Sequence, residues 1–423
     1  MKVHLPYGKN GLDVDLPDHT DVFLPPSVDP LADPEAAVRR ALVEPIGSPP
    51  LRDLIRPPDS VAIVISDITR PVPNRLLVPP LLATISEAGV ARENVVIIVG
   101  TGLHRASTAE ERATMLGEEI ARTYRIIDHD ARDESTLEYA GKTARGADIR
   151  VNRDYLNADI KILTGFIEPH IFCGYSGGGK AVLPGVSGAK TIIQHHSYAM
   201  LAHPRSSWCQ AQGSPTFDES REAALLTKPD LLLNVTLDEK KQVTGVFAGE
   251  MVAAHDAGIA QVARQSLTPI DRLYDIVVTT NMGWAADINL YQGMKGMSIG
   301  SEAVKPGGAV VLAAECAEAL GNDEFVELLF SDSSIQRIME RLANGYQVDD
   351  QWGVQCIGRI VEKAQVWLHS SMSREMTERA HLRYSDDVGE TVASLAAEFE
   401  SKNGGEPSIA VFPYGQLTVP RLR

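Results

Sequence analysis

Several things are scarce in this chain, and each scarcity closes off a class of function. Cysteine is one: the four residues Cys173, Cys209, Cys316 and Cys356 lie far apart and form no CxxC pair. That spacing excludes a zinc knuckle and a disulfide framework and leads us to expect plain buried thiols. Long apolar runs are missing too, none approaching the roughly 18 residues of a membrane helix. The opening MKVHLPYGKNGLDVDLP has neither the basic nor the apolar stretch of a secretory signal, so a cytoplasmic protein is expected. Positive charge is in deficit: 40 Lys and Arg face 56 Asp and Glu, a formal charge of −16. A nucleic-acid backbone or anionic membrane is thereby excluded as partner, although a small anion can still be held in a local cationic pocket.

What remains is the composition of a soluble globular protein, 44% hydrophobic and 23% charged, with 423 residues to form two or three domains. Strand-length apolar runs recur at 61–66 (VAIVIS), 95–100 (VVIIVG), 124–128, 160–167 (IKILTGFI), 231–237, 276–280 and 309–314. Unbroken apolarity marks strands covered on both faces, as in parallel α/β sheets. Between them, 75–90 and 107–124 read as helices, the second opening on Ser107 and Glu110 at the spacing of a capping box. The stretch 230–250 reads as an antiparallel hairpin closing one edge of the first sheet. We therefore expect two α/β domains with mainly parallel sheets, 1–270 and 271–423, with a loop-like Pro-rich tract from Pro25 to Pro58.

In open α/β sheets ligands gather beyond the carboxyl ends of the strands. There the sequence places Asp67-Ile68-Thr69-Arg70, then His104-Arg105, then Glu168-Pro169-His170. One arginine and two histidines at successive strand ends offer a carboxylate clamp and two acid/base groups. Next comes Gly174-Tyr175-Ser176-Gly177-Gly178-Gly179-Lys180, whose spacing resembles a phosphate loop. Ala181 stands where that loop needs Ser or Thr, and Pro184-Gly185 interrupts the following helix, so a nucleotide hydrolase is the alternative reading. The glycines permit close backbone approach to a ligand and leave Lys180 exposed to it. His195 and His196 follow in a helical segment as possible metal ligands. In the second domain Trp284 follows a strand, and Tyr291, Gln292 and Lys295 open a helix, with Gln292 and Lys295 on one face to meet a carboxylate.

The motifs SDITRP, GTGLHR, EPHIFCGYSGGGKAVLPGVSG, HHS and NLYQGMKGM, ordered from residue 66 to 297, resemble the nickel-pincer lactate racemase family of 2-hydroxyacid racemases and epimerases. The resemblance implies an active-site cleft between two α/β domains. It also implies a pyridinium mononucleotide carrying nickel in an S, C, S pincer, tethered to Lys180 and installed by dedicated cofactor-synthesis enzymes. The nickel ligand falls in the HH pair, with His196 favoured over His195. The catalytic pair corresponds to His104 and His170. Arg70, Tyr291, Gln292, Lys295 and Trp284 correspond to substrate-binding positions, and Asp67, Arg70 and Gly177 to Gly179 to cofactor-binding ones, with Asp67 expected to orient Arg70.

The implied reaction passes the substrate's Cα hydride to the pincer and back through a 2-keto acid. It avoids removing a very weakly acidic Cα proton, for which each pK unit of mismatch costs about 1.4 kcal/mol. It also fits the absence of a GxGxxG fingerprint after the early strands. Members acting on lactate commonly read GYPLDQN where this chain reads GWAADIN (283–289), so the substrate's side chain is left open. An inactive small-anion-binding homologue is the remaining alternative. No fixed-period repeat is present.

Overall fold

The computed structural model describes residues 1–423 and divides into two compact units. The first comprises Val28–His196 and His203–Arg264, and the second Met1–Ser27, Ser197–Ala202 and Gln265–Arg423.

The first unit is built on a six-stranded sheet in the spatial order Val243–Gly249, Leu231–Leu237, Ile160–Phe166, Val61–Ser66, Val95–Gly100, Arg125–Asp128. All neighbours are parallel except the outermost hairpin, Leu231–Leu237 with Val243–Gly249, which closes the edge as the sequence suggests. Alternation within one continuous apolar strand feeds two cores. Val61, Ile63 and Ile65 enter one together with Leu77, Leu81 and Ile85, while Ala62 and Val64 enter the other with Leu163, Val182 and Ile192. A sheet so covered needs apolar residues at every position, which is why VAIVIS shows no polar alternation.

The second unit has a six-stranded parallel sheet in the order Arg383–Tyr384, Gln365–His369, Val304–Ala313, Tyr274–Thr280, Ile409–Phe412, Asp21–Val22. Its last strand corrects the expected domain division. Residues 1–27 belong here and not with the first unit, because Asp21–Val22 pairs with Ile409–Phe412 and Val3, Leu5, Val14 and Leu16 are buried among Ile276, Val278 and Val411. The short helix Tyr198–Ala202 also belongs here, its end carbonyls at Tyr198 and Leu201 accepting from Gln355 Nε2 (3.0 Å) and Arg359 Nη1 (2.6 Å).

Three smaller expectations also change. The capping box is Thr108 with Glu111, one residue later than expected, since the Ser107 N–H is engaged by Asp128 Oδ1 at 3.0 Å. The helix it opens stops at Leu116, and a separate one runs Glu118–Thr123. The Pro-rich tract is not wholly loop: it holds the helices Pro34–Val43, started by Pro at its first position and capped by Asp33, and Leu51–Leu54. All four cysteines are free thiols, Cys173 and Cys316 buried and the other two half-buried. No helix is long and apolar enough to cross a membrane.

Candidate active site

In the first sheet the strands Val61–Ser66 and Ile160–Phe166 are neighbours, and the chain leaves them for opposite halves of the sheet. Such a switch point opens a crevice at the carboxyl ends. Asp67 follows one of these strands, and Glu168 to His170 follow the other.

Asp67 is buried, and its Oδ2 lies 2.6 Å from His104 Nδ1. Its Oδ1 accepts from Thr69 Oγ1 (2.6 Å) and from the Thr69 N–H (3.2 Å). Burial alone would raise the Asp67 pKa, but the hydrogen bond and charge of His104, with Thr69 and Arg70 behind them, outweigh it and hold the carboxyl below its ordinary value. A carboxylate only accepts, so the proton between the two residues sits on His104 Nδ1, and Nε2 is the nitrogen left to receive another. The expected duty of Asp67 is thereby corrected: its side chain orients His104 and not Arg70. Arg70 lies exposed nearby, giving its backbone N–H to the Asp67 carbonyl (3.2 Å).

His170 is held differently. Pro169–His170 pairs antiparallel with Gly174–Tyr175 in a tight hairpin, so the intervening N–H groups curl back on the ring. Its Nδ1 accepts from the backbone N–H of Cys173 (3.2 Å) and Phe172 (3.4 Å), which assigns the ring proton to Nε2. Nε2 lies 3.4 Å from Lys180 Nζ.

Lys180 sits on a single 3₁₀ turn, Gly178–Ala181, after Gly177 in a left-handed conformation (φ +77°), and the next α-helix begins only at Ala189. A phosphate loop runs directly into an α-helix whose N-terminus holds the phosphates, and this loop does not. The glycines also serve a different end from close ligand approach. A Cβ on Gly177 would stand 2.5 Å from Asn234 Oδ1, and one on Gly178 2.2 Å from His255 Nδ1, so the chain's own side chains occupy that space.

The histidine pair ends the helix Ala189–His195, and both residues are buried. His195 Nε2 meets the Thr216 carbonyl at 2.8 Å and so carries the proton, leaving Nδ1 as an acceptor. His196 Nδ1 lies 3.0 Å from the Ile192 carbonyl and 3.2 Å from His195 Nδ1, and must donate to them. With its proton on Nδ1, the neutral His196 ring has Nε2 as its acceptor nitrogen. Burial, aided by the Lys180 charge, pushes His195 down to about 4 and His196 well below the ordinary histidine value, so both rings are neutral. No cluster of three or more His, Cys, Asp or Glu side chains suited to a metal occurs in the chain.

In the second unit the helix Leu290–Ala303 starts at Asn289, whose side chain accepts the Gln292 N–H at 3.0 Å. Lys295 Nζ donates to Gln292 Oε1 (2.9 Å), so the expected shared face is present. Tyr291 Oη donates to Asp350 Oδ1 (2.9 Å) and accepts from Trp352 Nε1 (2.6 Å). Trp284 is 46% exposed, with Lys9 Nζ 4.5 Å from its ring centre. Its loop is braced by the N-terminal hairpin, since the Trp284 N–H donates to the Gly8 carbonyl (2.8 Å) and the Gly8 N–H to Asp287 Oδ2 (2.7 Å).

Comparison with known proteins accounts for both units. The profile of the lactate racemase N-terminal domain matches residues 7–209, and that of the lactate racemase C-terminal domain matches 271–419. The chain belongs to the lactate racemase family. Lactate racemase of Thermoanaerobacterium thermosaccharolyticum is 31% identical over 430 residues, covering 99% of each chain. That of Lactiplantibacillus plantarum is 33% identical over 387 residues, 90% of this chain and 89% of the other. The structure of the lactate racemase apoprotein from T. thermosaccharolyticum superposes with a TM-score of 0.93 at 30% identity over the whole of both chains. A Thermotoga maritima protein at 18% identity and TM-score 0.68, covering 95% of this chain and all of its own, shares the fold.

Against this family frame, sequence reading missed side chains that support the polar residues. Phe172 is the most central: its ring meets His170 (4.6 Å) and His196 (5.2 Å) edge-on, with Lys180 Nζ 5.9 Å from its centre. It stands two residues after His170 in the IFCGY run, where an apolar residue gives no signal of a site. Asn234, His129 and His255 were also passed over. A polar Asn234 in the middle of LLLNVTL, fully buried, was the one visible clue.

Proposed function

We propose that this chain is an isomerase that racemises or epimerises a small 2-hydroxy acid, with His104 and His170 as its acid/base pair. The observation that supports the reading is that a carboxylate-held His104 and a His170–Lys180 contact each follow the carboxyl end of a strand in the same sheet. The name lactate racemase borne by both relatives supports the class of reaction.

His104 takes the hydroxyl proton of one enantiomer on Nε2 and becomes an imidazolium, while the neutral His170 gives an Nε2–H hydrogen bond to the oxygen on the other side; whichever histidine returns the proton does so as an imidazolium. By the resemblance, Arg70, Gln292 and Lys295 take the positions that bind substrate or cofactor anions, and Tyr291 and Trp284 take further substrate-binding positions. A nickel-pincer nucleotide, when bound, supplies the acceptor for the Cα hydride, which no side chain of the chain can provide. The residues fit such a group. Lys180 would hold it covalently through its half-buried amine, and His196 would supply a nitrogen to its nickel, a metal that imidazole suits. Maturation by cofactor-synthesis enzymes in the cytoplasm belongs to the same reading.

Intact-mass measurement of natively matured protein tests the tether. An adduct is expected that disappears in Lys180→Ala while the fold persists, because a half-buried loop lysine adds little to the core. A panel of enantiopure 2-hydroxy acids of increasing side-chain size, resolved by chiral chromatography, tests the reaction. Conversion of none of them, including sugar acids, by adduct-bearing protein sinks the assignment.

A further inference from the structure

Two histidines outside the site described above grip the Lys180 loop at its two ends. His255, on the helix Met251–Ser266, directs Nε2 to the Ser176 carbonyl at 2.9 Å. His129, just beyond the strand Arg125–Asp128, directs Nε2 to the Ser187 carbonyl at 2.8 Å. Both rings are buried, and burial lowers both pKa values, that of His255 to about 4. Carbonyls only accept, so in each neutral ring Nε2 bears the single proton and Nδ1 bears a lone pair. Neither Nδ1 has a hydrogen-bond partner.

A buried unsatisfied acceptor is a standing cost to the fold, tolerated twice here for the sake of one N–H at a fixed point. What those two N–H groups hold is the segment 176–187, which contains Lys180 and whose own backbone bonds, from Lys180 N–H to Gly177 through Ser187 N–H to Pro184, close successive tight turns and not a continuous helix or strand. His255 does more than donate. Its ring stacks on Phe217 (5.8 Å, 16°) and fills the space over Gly178, and it lines the same small cavity as Lys180. The Gly178 N–H is fixed in turn by Asn234 Oδ1 at 2.8 Å.

We propose that His129 and His255 are positioning residues that clamp the Lys180 loop, presenting Nζ to His170 and holding it ready for attachment of the cofactor. The last clause rests on the tether reading above. The hydrogen-bond clamp predicts a specific order of substitutions. Glutamine carries its amide N–H at about the reach of histidine Nε2, asparagine only at the reach of Nδ1, and leucine has no donor.

Hydrogen exchange on full-length protein produced without the cofactor pathway is the first arm. In His255→Leu or His129→Leu, amides of 174–188 should exchange about tenfold faster or more, with the central strands unchanged, while Gln at either position restores protection and Asn does not. In protein matured with the pathway, adduct at Lys180 should fall to about one-tenth in the Leu variants and recover in the Gln variants. Should a Leu variant fail to fold, the contrast between Gln and Asn decides. Unchanged exchange in the Leu variants, or Gln no better than Asn, overturns the clamp. Absence of adduct in the wild-type protein overturns the tether reading instead, and the exchange arm still decides the clamp.

Discussion

His104 and His170 stand at the ends of two strands in one sheet, and their surroundings give them opposite forms. A buried carboxylate holds His104 by Nδ1, leaving Nε2 as an acceptor, while two backbone N–H groups hold His170 by Nδ1, leaving Nε2–H as a donor. On the proposed reading, the acceptor is ready to take the substrate's hydroxyl proton and the donor to hydrogen-bond its oxygen. The fold supplies the difference through the neighbours of two identical side chains. The neighbours also differ in robustness: the His104 partner is a side chain that can be substituted, whereas the His170 partners are main-chain groups fixed by the hairpin.

Removing either histidine is the coarsest test of this division and should have the largest effect. His104→Ala and His170→Ala are each expected to slow turnover by about 10² to 10⁴-fold. For a racemisation the loss in kcat/KM must be equal in both directions, because enantiomers are equal in free energy. Full-time-course chiral analysis from each pure enantiomer checks it. Substantial activity in both variants means that the proton is moved by other groups.

A finer test makes the two histidines alike. In Asp67→Asn, the amide oxygen stays with the Thr69 donors and the NH₂ faces His104, so Nδ1 must accept and the proton moves to Nε2. His104 then has the same tautomer as His170, and turnover should fall on the order of 10²-fold with KM little changed. Stability gives a second readout. The folded Asp67 pKa lies below the unfolded value, so the contribution is present above the unfolded carboxyl pKa of about 3.9 and is lost as pH falls through the lower folded value. Wild type should therefore lose part of its advantage over the variant in acid denaturation below about pH 4. An undiminished advantage there denies the ion pair its role.

How far the sequence reveals this arrangement depends on whether a feature is local. Strands buried on both faces are written as apolar runs, so the sheet and its strand-end residues Asp67, His104 and His170 can be read directly. The partner of Asp67 cannot. Arg70 is three residues away and draws the eye, yet His104, 37 residues away, lies at 2.6 Å because parallel pairing sets Ser66 beside Gly100. The triple glycine announces a tight passage, but only the packing of Asn234 and His255 says what presses on it. The allegiance of residues 1–27 rests on pairing Asp21–Val22 with Ile409–Phe412, almost the whole chain apart, and no short-range pattern carries that.

The gentlest perturbation keeps the carboxylate and removes one of its supports. Thr69→Val is close to isosteric and deletes the 2.6 Å bond from Oγ1 to Asp67 Oδ1, while the longer bond from the Thr69 N–H at 3.2 Å remains. That bond favours the ionised carboxylate, so its loss raises the Asp67 pKa and loosens the orientation of His104. Turnover should fall by about 3 to 10-fold, the equivalent of roughly 0.7 to 1.4 kcal/mol, which is the usual net worth of one hydrogen bond. The acid limb of the kcat profile should move to higher pH, since a less acidic carboxyl is protonated sooner as pH falls. The change is confined to the His104 side, so it should leave Lys180 adduct occupancy untouched. A loss as large as that of Asp67→Asn means that the position of the carboxylate, and not its charge, sets the tautomer of His104. An unshifted acid limb means that the Thr69 N–H alone is enough to hold it.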